Sequence, residues 1–202
     1  MLSESRIGQT VGADSAVIPI RSGNLGEIMV GKIHGDLYEQ AYRGKSFFAA
    51  SQAATTWSVA LNTTHTGFVL SNRAGSGVYL VPNLASFALS VAPAAIAHIG
   101  IFTGYDSGGI ITHTTPLSTL NCFLGRGRGV GLADGAATLV GTPAWTLPAM
   151  GGFTAGALHG TTPQVLNLHG QFIIPPGGYM GIGALTAVIG FAGMTWEEVE
   201  IV

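Results

Sequence analysis

The side chains able to do chemistry are few and widely spaced. Asp106-Ser107-Gly108-Gly109 sets a serine among glycines, and Ala97-His98 places an imidazole nine positions upstream. A serine nucleophile needs its base within hydrogen-bond reach and a carboxylate behind that base. Asp106 is the one acid between His98 and Ser107, so the segment reads as a Gly-rich turn with Asp106 as a turn residue. Asp106 and Asp134 are the acids of residues 46–196, and two carboxylates suffice for glycoside hydrolysis. Both stand in Gly-containing contexts, where turn-forming aspartates are the ordinary explanation. Gly125-Arg126-Gly127-Arg128-Gly129 presents two guanidiniums on a permissive backbone, a form suited to clamping phosphates or carboxylates. It fits neither the dinucleotide fingerprint nor a Gly-Lys-Ser/Thr phosphate loop. His34, His65, His98, His113, His159 and His169 include no pair three to five apart, and none stands at zinc-ligand spacing from Cys122. They read as single imidazoles, and neither a metal nor a cofactor is expected. Cys122, the sole cysteine, excludes an intrachain disulfide and reads as a small buried apolar residue within Leu120–Leu124.

The elements that must position these residues are strands. Short apolar runs rich in β-branched and aromatic residues fall at 27–33, 47–51, 57–62, 67–71, 78–81, 86–91 and 97–103. Others fall at 119–124, 137–140, 144–147, 165–174, 179–185 and 188–196. Gly, Pro, Asn and Asp separate them, notably at Asn72–Gly77, Asp106–Gly109, Asp134-Gly135 and Pro175–Gly178. The best helix signal is one turn at Asp36–Tyr42. Many short strands with little helix predict an all-β fold, an antiparallel β-sandwich or barrel. Val188–Met194 is apolar on both faces of its strand, which requires a second packing partner, either a sheet or a subunit.

Charge points the same way. The chain has 202 residues, 47% hydrophobic and 9% charged, with a net charge of −2. Disorder and a coiled coil are excluded, and nucleic-acid binding by bulk charge is not expected. Ten of the charges lie in residues 1–45, and between 46 and 196 stand only Arg73, Asp106, Arg126, Arg128 and Asp134. Surfaces of free domains carry roughly 25–35% charged residues, so this one is read as built to be covered by other subunits. Residues 1–45 are read as an N-terminal arm or peripheral segment, and 46–202 as the sandwich domain. Arg21, Lys32, Arg43, Lys45, Arg126 and Arg128 are the candidate subunit or capsid contacts. The uncharged run 78–102 is interrupted by Pro, Asn, Ser and His and lacks basic flanks, so no membrane span is expected. The start lacks a basic stretch followed by an apolar run, so no signal peptide is expected either.

Tyr38-Glu39-Gln40-Ala41-Tyr42-Arg43-Gly44-Lys45-Ser46-Phe47 leads on to Val69-Leu70-Ser71-Asn72-Arg73-Ala74-Gly75-Ser76-Gly77-Val78-Tyr79-Leu80. This resembles a pattern of tailed-bacteriophage virion structural proteins, Tyr-Glu-x-Ala-x-Arg-Gly-x-x-Phe followed by Leu-x-Asn-Pro-x-Gly-Ser-Gly-x-x-Leu. Arg73 stands where the pattern has Pro. The end, Ile174–Tyr179 through Phe191 to Glu198, is similar to the last strands of the same proteins. The resemblance implies a jelly-roll sandwich akin to the tumour necrosis factor-like fold, assembled as a homotrimer. It also implies a capsid decoration (cement) protein on the virion surface, non-enzymatic, whose partner is the major capsid protein. The rival within that resemblance is a tail or head-fibre component binding a host receptor or glycan, with Trp57, Trp145 and Tyr105 as stacking aromatics. A rival of another class is an enzyme using Asp106, Ser107 or Asp134.

Overall fold

The structure is a computed structural model that describes residues 37–58, 61–107, 111–141, 143–153 and 164–201. Expectations for residues 1–36, including the arm, the strand at 27–33, Arg21 and Lys32, lie outside the described residues. One compact unit runs from Glu39 to Val202. A short helix, α1 (Tyr38–Tyr42), precedes β1 (Ser46–Ala50), β2 (Thr55–Thr56), β3 (Thr64–Ser71), β4 (Val78–Leu89) and β5 (Ala97–Tyr105). Then follow β6 (Thr112–Leu117), β7 (Leu120–Asn121), β8 (Leu132–Thr138) and β9 (Ala144–Phe153). β10 (Gln164–Asn167), β11 (Gly178–Ala184) and β12 (Ile189–Glu200) complete the set.

These strands form two antiparallel sheets packed face to face. The first runs β10-β4-β12-β1-β7, with β2 paired to the start of β12, and the second runs β6-β8-β3-β11-β5-β9. Setting aside β2 and the segment β6–β8 leaves β1-β12-β4-β10 facing β3-β11-β5-β9. That is the strand order of a jelly roll, in which strands close in sequence lie on opposite sheets. The segment β6–β8 is an insertion between β5 and β9. It adds β8 and β6 to the edge of the second sheet and β7 to the edge of the first.

Alternation aims the core. On β12, Gly190, Ala192, Met194, Trp196 and Glu198 point inward and are buried. They meet Leu80, Ala85 and Phe87 of β4 and, from the other sheet, Phe68, Leu70, Met180 and Ile182. A second cluster covers the outer face of the second sheet: Val69, Phe102, Ile111, Ala137, Leu139 and Tyr179, with Leu61 and Trp145 packed on it. Cross-strand glycines make room for its rings. Phe102 stands opposite Gly181 and Tyr179 opposite Gly104, and each ring lies where a glycine's Cβ would be.

Several sequence expectations are corrected. The expected strand at 57–62 does not form among its described residues, and Trp57 is instead a buried core side chain. The expected strands at 78–81 and 86–91 are one twelve-residue strand, β4. Its partner β12 pairs along the whole length, and the chain absorbs Pro82-Asn83 as a bulge opposite Thr195/Trp196. The long strand expected at 165–174 stops at Asn167, because His169 and Gly170 take positive φ. Asp134-Gly135 is no turn; it lies inside β8. The uncharged run 78–102 holds β4 and the start of β5, and no helix among the described residues is long and apolar enough to cross a membrane.

Candidate interaction surface

The insertion builds an anchored projection at the edge of the first sheet. The Cys122 N–H donates to the Ser46 carbonyl at 2.9 Å, and the Asn121 amide donates to the Gly44 carbonyl at 2.8 Å. The Asn121 side-chain oxygen accepts the Phe123 N–H at 2.8 Å, which turns the chain outward. The Arg126 N–H donates to the Phe123 carbonyl at 3.1 Å and closes the turn, followed by return to the sheet at Gly131. There the buried Glu198 carboxylate accepts the Gly131 N–H at 2.8 Å and the Trp196 indole N–H at 3.3 Å. Both ends of the loop are therefore anchored, while its tip stands free: Leu124 is 78% exposed and Phe123 41%. The Arg126 guanidinium caps the Phe123 ring at 4.7 Å and donates to the Arg43 carbonyl at 2.9 Å.

The structure thus joins two of the candidate contacts, Arg43 and Arg126, and places Arg128 on the same loop, exposed and without an ion pair among the described residues. Arg43 pairs with Glu39 at 2.8 Å along one helical turn. Lys45 is drawn across to Glu200 at 2.6 Å, and that hydrogen bond lowers the Glu200 carboxyl below its ordinary range. Cys122 is half-buried beside the Ser46 hydroxyl at 3.4 Å, more accessible than expected.

The outer face of the first sheet differs from that of the second. The registers place Ile189, Phe191, Thr195, Glu197 and Val199 of β12 on it, beside Val81, Leu84 and Ala88 of β4. Val165, Phe48 and Leu120 extend the same face onto β10, β1 and β7. Antiparallel sheets commonly keep one polar, solvated face. Here Glu197 is the single charged side chain among the described strand residues of that face, and burial among its neighbours pushes its carboxyl above the ordinary range. Asn167, Ser46, Ser86 and Thr195 add neutral polar groups and the remainder is apolar or glycine, with Val165 58% exposed and Phe191 39%.

Ser107 and His98, set aside above as a nucleophile and its base, are kept apart. His98 stands near the start of β5 and Ser107 follows its end, a separation of about 23 Å from His98 to Tyr105 alone at extended-strand rise. Sequence reasoning missed a different pair. His113 of β6 meets Asp134 of β8 at 2.5 Å between Nδ1 and Oδ2. Asp134 is wholly buried, and desolvation raises its pKa against the opposing pull of His113. Their separation of 21 positions hid them, and only the pairing of β6 with β8 reveals them. No serine, threonine or cysteine side chain hydrogen-bonds His113 among the described residues. The crevice beside it, lined by Ser71, Asn72 and Arg73, is about 20 Å³, room for about one water. No cluster of three metal-ligating side chains occurs among the described residues. Of the aromatics considered for stacking, Trp57 is buried, Trp145 packs edge-on against Phe102, and Tyr105 is exposed. No family model, no curated protein and no solved structure matches this chain.

Proposed function

We propose that the chain is a non-enzymatic virion structural subunit, a capsid decoration protein of tailed-phage type that assembles as a homotrimer and binds the major capsid protein. The observation that carries this reading is the outer face of the first sheet. The chain covers the equivalent face of its second sheet with its own loops, yet leaves Phe191, Val165, Ile189 and Leu120 accessible on the first. A sheet face with so many exposed apolar side chains and one charge marks a surface made for another protein. The resemblance at Tyr38–Phe47 and Val69–Leu80 supplies the phage context. Repeated attachment to a lattice suits such a subunit, since multivalency raises avidity from modest contacts.

Copy number and position on purified particles test the reading. Electron microscopy showing this density on the shell, with quantitative mass spectrometry giving hundreds of copies, is the expected result. A handful of copies at the tail would replace it with the receptor-binding fibre reading. Phe191→Asp is expected to abolish shell binding while leaving the circular dichroism spectrum unchanged. A variant that still decorates shells would remove the sheet face from the argument.

A further inference from the structure

We infer that the loop between β7 and β8 is an endoproteolytic processing site, cut after Arg126 or Arg128 by an arginine-specific endoprotease, and that the cut protein persists as a two-chain molecule because its pieces share both sheets. Neither property depends on what covers the first sheet.

The loop is open where a protease must reach. Phe123 to Arg128 are all exposed, and Gly127 and Arg128 lie outside any strand, helix or turn. Apart from adjoining residues, nothing described lies within 4 Å of where a Cβ would stand on Gly125 or Gly127. The Arg126 and Arg128 carbonyls accept no backbone hydrogen bond among the described residues. The Arg128 side chain has no hydrogen bond or ion pair among them either, so a specificity pocket can take it directly. Exposed loop tips built of small residues are where folded chains are nicked.

The other arginines of the described chain are closed. The Arg43 N–H donates to the Glu39 carbonyl at 2.9 Å, and the Arg43 carbonyl accepts the Arg126 guanidinium at 2.9 Å. The Arg73 carbonyl accepts the Ser76 N–H at 3.3 Å inside the turn between β3 and β4. The Asn72 amide clamps that turn to the Val78 and Ile174 carbonyls at 2.7 and 3.0 Å. Backbone held in this way must open locally before it enters a protease cleft, and the Gly127–Arg128 stretch has fewer bonds to break. Hydrolysis there breaks the C–N bond between arginine and glycine. The oxygen of one water joins the arginine carbonyl carbon, giving a carboxylate, and both its protons end on the glycine nitrogen, giving an ammonium.

The cut leaves β1–β7 on one piece and β8–β12 on the other. Along the second sheet, β6-β8-β3-β11-β5-β9, the strands come alternately from the two pieces, so every ladder joins one to the other. Along the first, β10-β4-β12-β1-β7, only β1 and β7 pair within a piece, over two residue pairs. No strand of β8–β12 neighbours another of that set. The core is divided likewise: Phe68, Leu70 and Leu80 come from the first piece, and Met180, Ile182 and Trp196 from the second. A departing piece would expose that apolar surface and strand its ladder N–H and carbonyl groups, so the two stay together.

The test treats the full chain in native buffer with an arginine-specific endoprotease and follows intact mass and size exclusion. The first cut among Arg43, Arg73, Arg126 and Arg128 is expected at Arg126 or Arg128, whether or not Arg6 and Arg21 are also cut. The product is expected at the parental elution volume with the parental circular dichroism spectrum, and should separate into two pieces in urea. Arg126→Lys/Arg128→Lys keeps both charges; it should lose the loop cut with this enzyme and regain it with trypsin, which also accepts lysine. A first cut at Arg43 or Arg73, a folded parent that stays whole from Leu37 onward, or a lysine variant whose loop trypsin leaves whole overturns the site. Pieces that part in native buffer overturn the two-chain molecule.

Discussion

The His113–Asp134 pair offers the sharpest physical test of the fold. Asp134 is wholly buried in β8, and the His113 imidazole is the hydrogen-bond partner of its Oδ2. Its other oxygen has no partner among the described residues. His113→Ala therefore strands a carboxylate inside the protein. Stripping a buried carboxylate of its hydrogen-bond donor costs about 3 kcal/mol or more. The lower end applies, because the His113 side chain is 29% exposed and its loss admits some water. For a chain of 202 residues, about 3 kcal/mol corresponds to a fall of roughly 6–12 °C in Tm. The sign with pH follows from the direction of the shift. Desolvation already raises the Asp134 carboxyl, and His113 is what holds it down. In the variant the folded-state value rises further above the unfolded one. Such a group stabilises below its unfolded value, and that contribution is lost as pH rises through the folded value. The deficit of His113→Ala should be largest near neutrality and shrink as pH falls toward about 4. Urea titration followed by tryptophan fluorescence at several pH values measures it. A variant within about 0.5 kcal/mol of the parent at neutral pH, the usual scatter of surface changes, would refute the reasoning. So would a deficit that grew toward acid. Asp134→Asn, which removes the buried charge itself, should cost less than His113→Ala.

Three further outcomes follow from named contacts. Glu198→Ala leaves the Gly131 and Trp196 N–H groups without their acceptor, costs about 3 kcal/mol, and should speed tryptic cleavage at Arg126 and Arg128; an unchanged cleavage rate would show that the loop is held by other means. Gly181→Ala sets a methyl against the Phe102 ring, so denaturation should show a loss of about 1–3 kcal/mol from overpacking, which Phe102→Leu in the same chain should partly relieve. His65 is buried against Phe102, which pulls its pKa down to about 4 from 6.5 with the Ile182 carbonyl opposing. Because the unfolded imidazole takes up its proton first, stability should fall by about 3 kcal/mol as pH drops from 6.5 toward 4. His65→Leu should flatten that part of the pH profile, and a profile it leaves unaltered would assign the acid sensitivity elsewhere.

Composition and periodicity alone carried the class of this protein. β-branched and aromatic runs between Gly and Pro turns predicted an all-β sandwich or barrel, because period-two alternation is a local property of the chain. The apolar character of both faces at Val188–Met194 was legible for the same reason, and Phe191 stands exposed while Met194 is buried. The Arg126–Arg128 loop was visible as a loop. What the tertiary structure decided depends on residues distant in sequence. The pairing of β12 along all of β4 carried one strand through Pro82-Asn83, which locally reads as a break. The pairing of β6 with β8 turned Asp134 from a turn residue into a buried partner of His113. Only the jelly-roll order shows that the Phe123–Leu124 loop belongs to an insertion, one that adds to the edges of both sheets. Local chemistry names the strands, but register and sheet order decide which side chains meet, and those are set by burial summed over the whole domain.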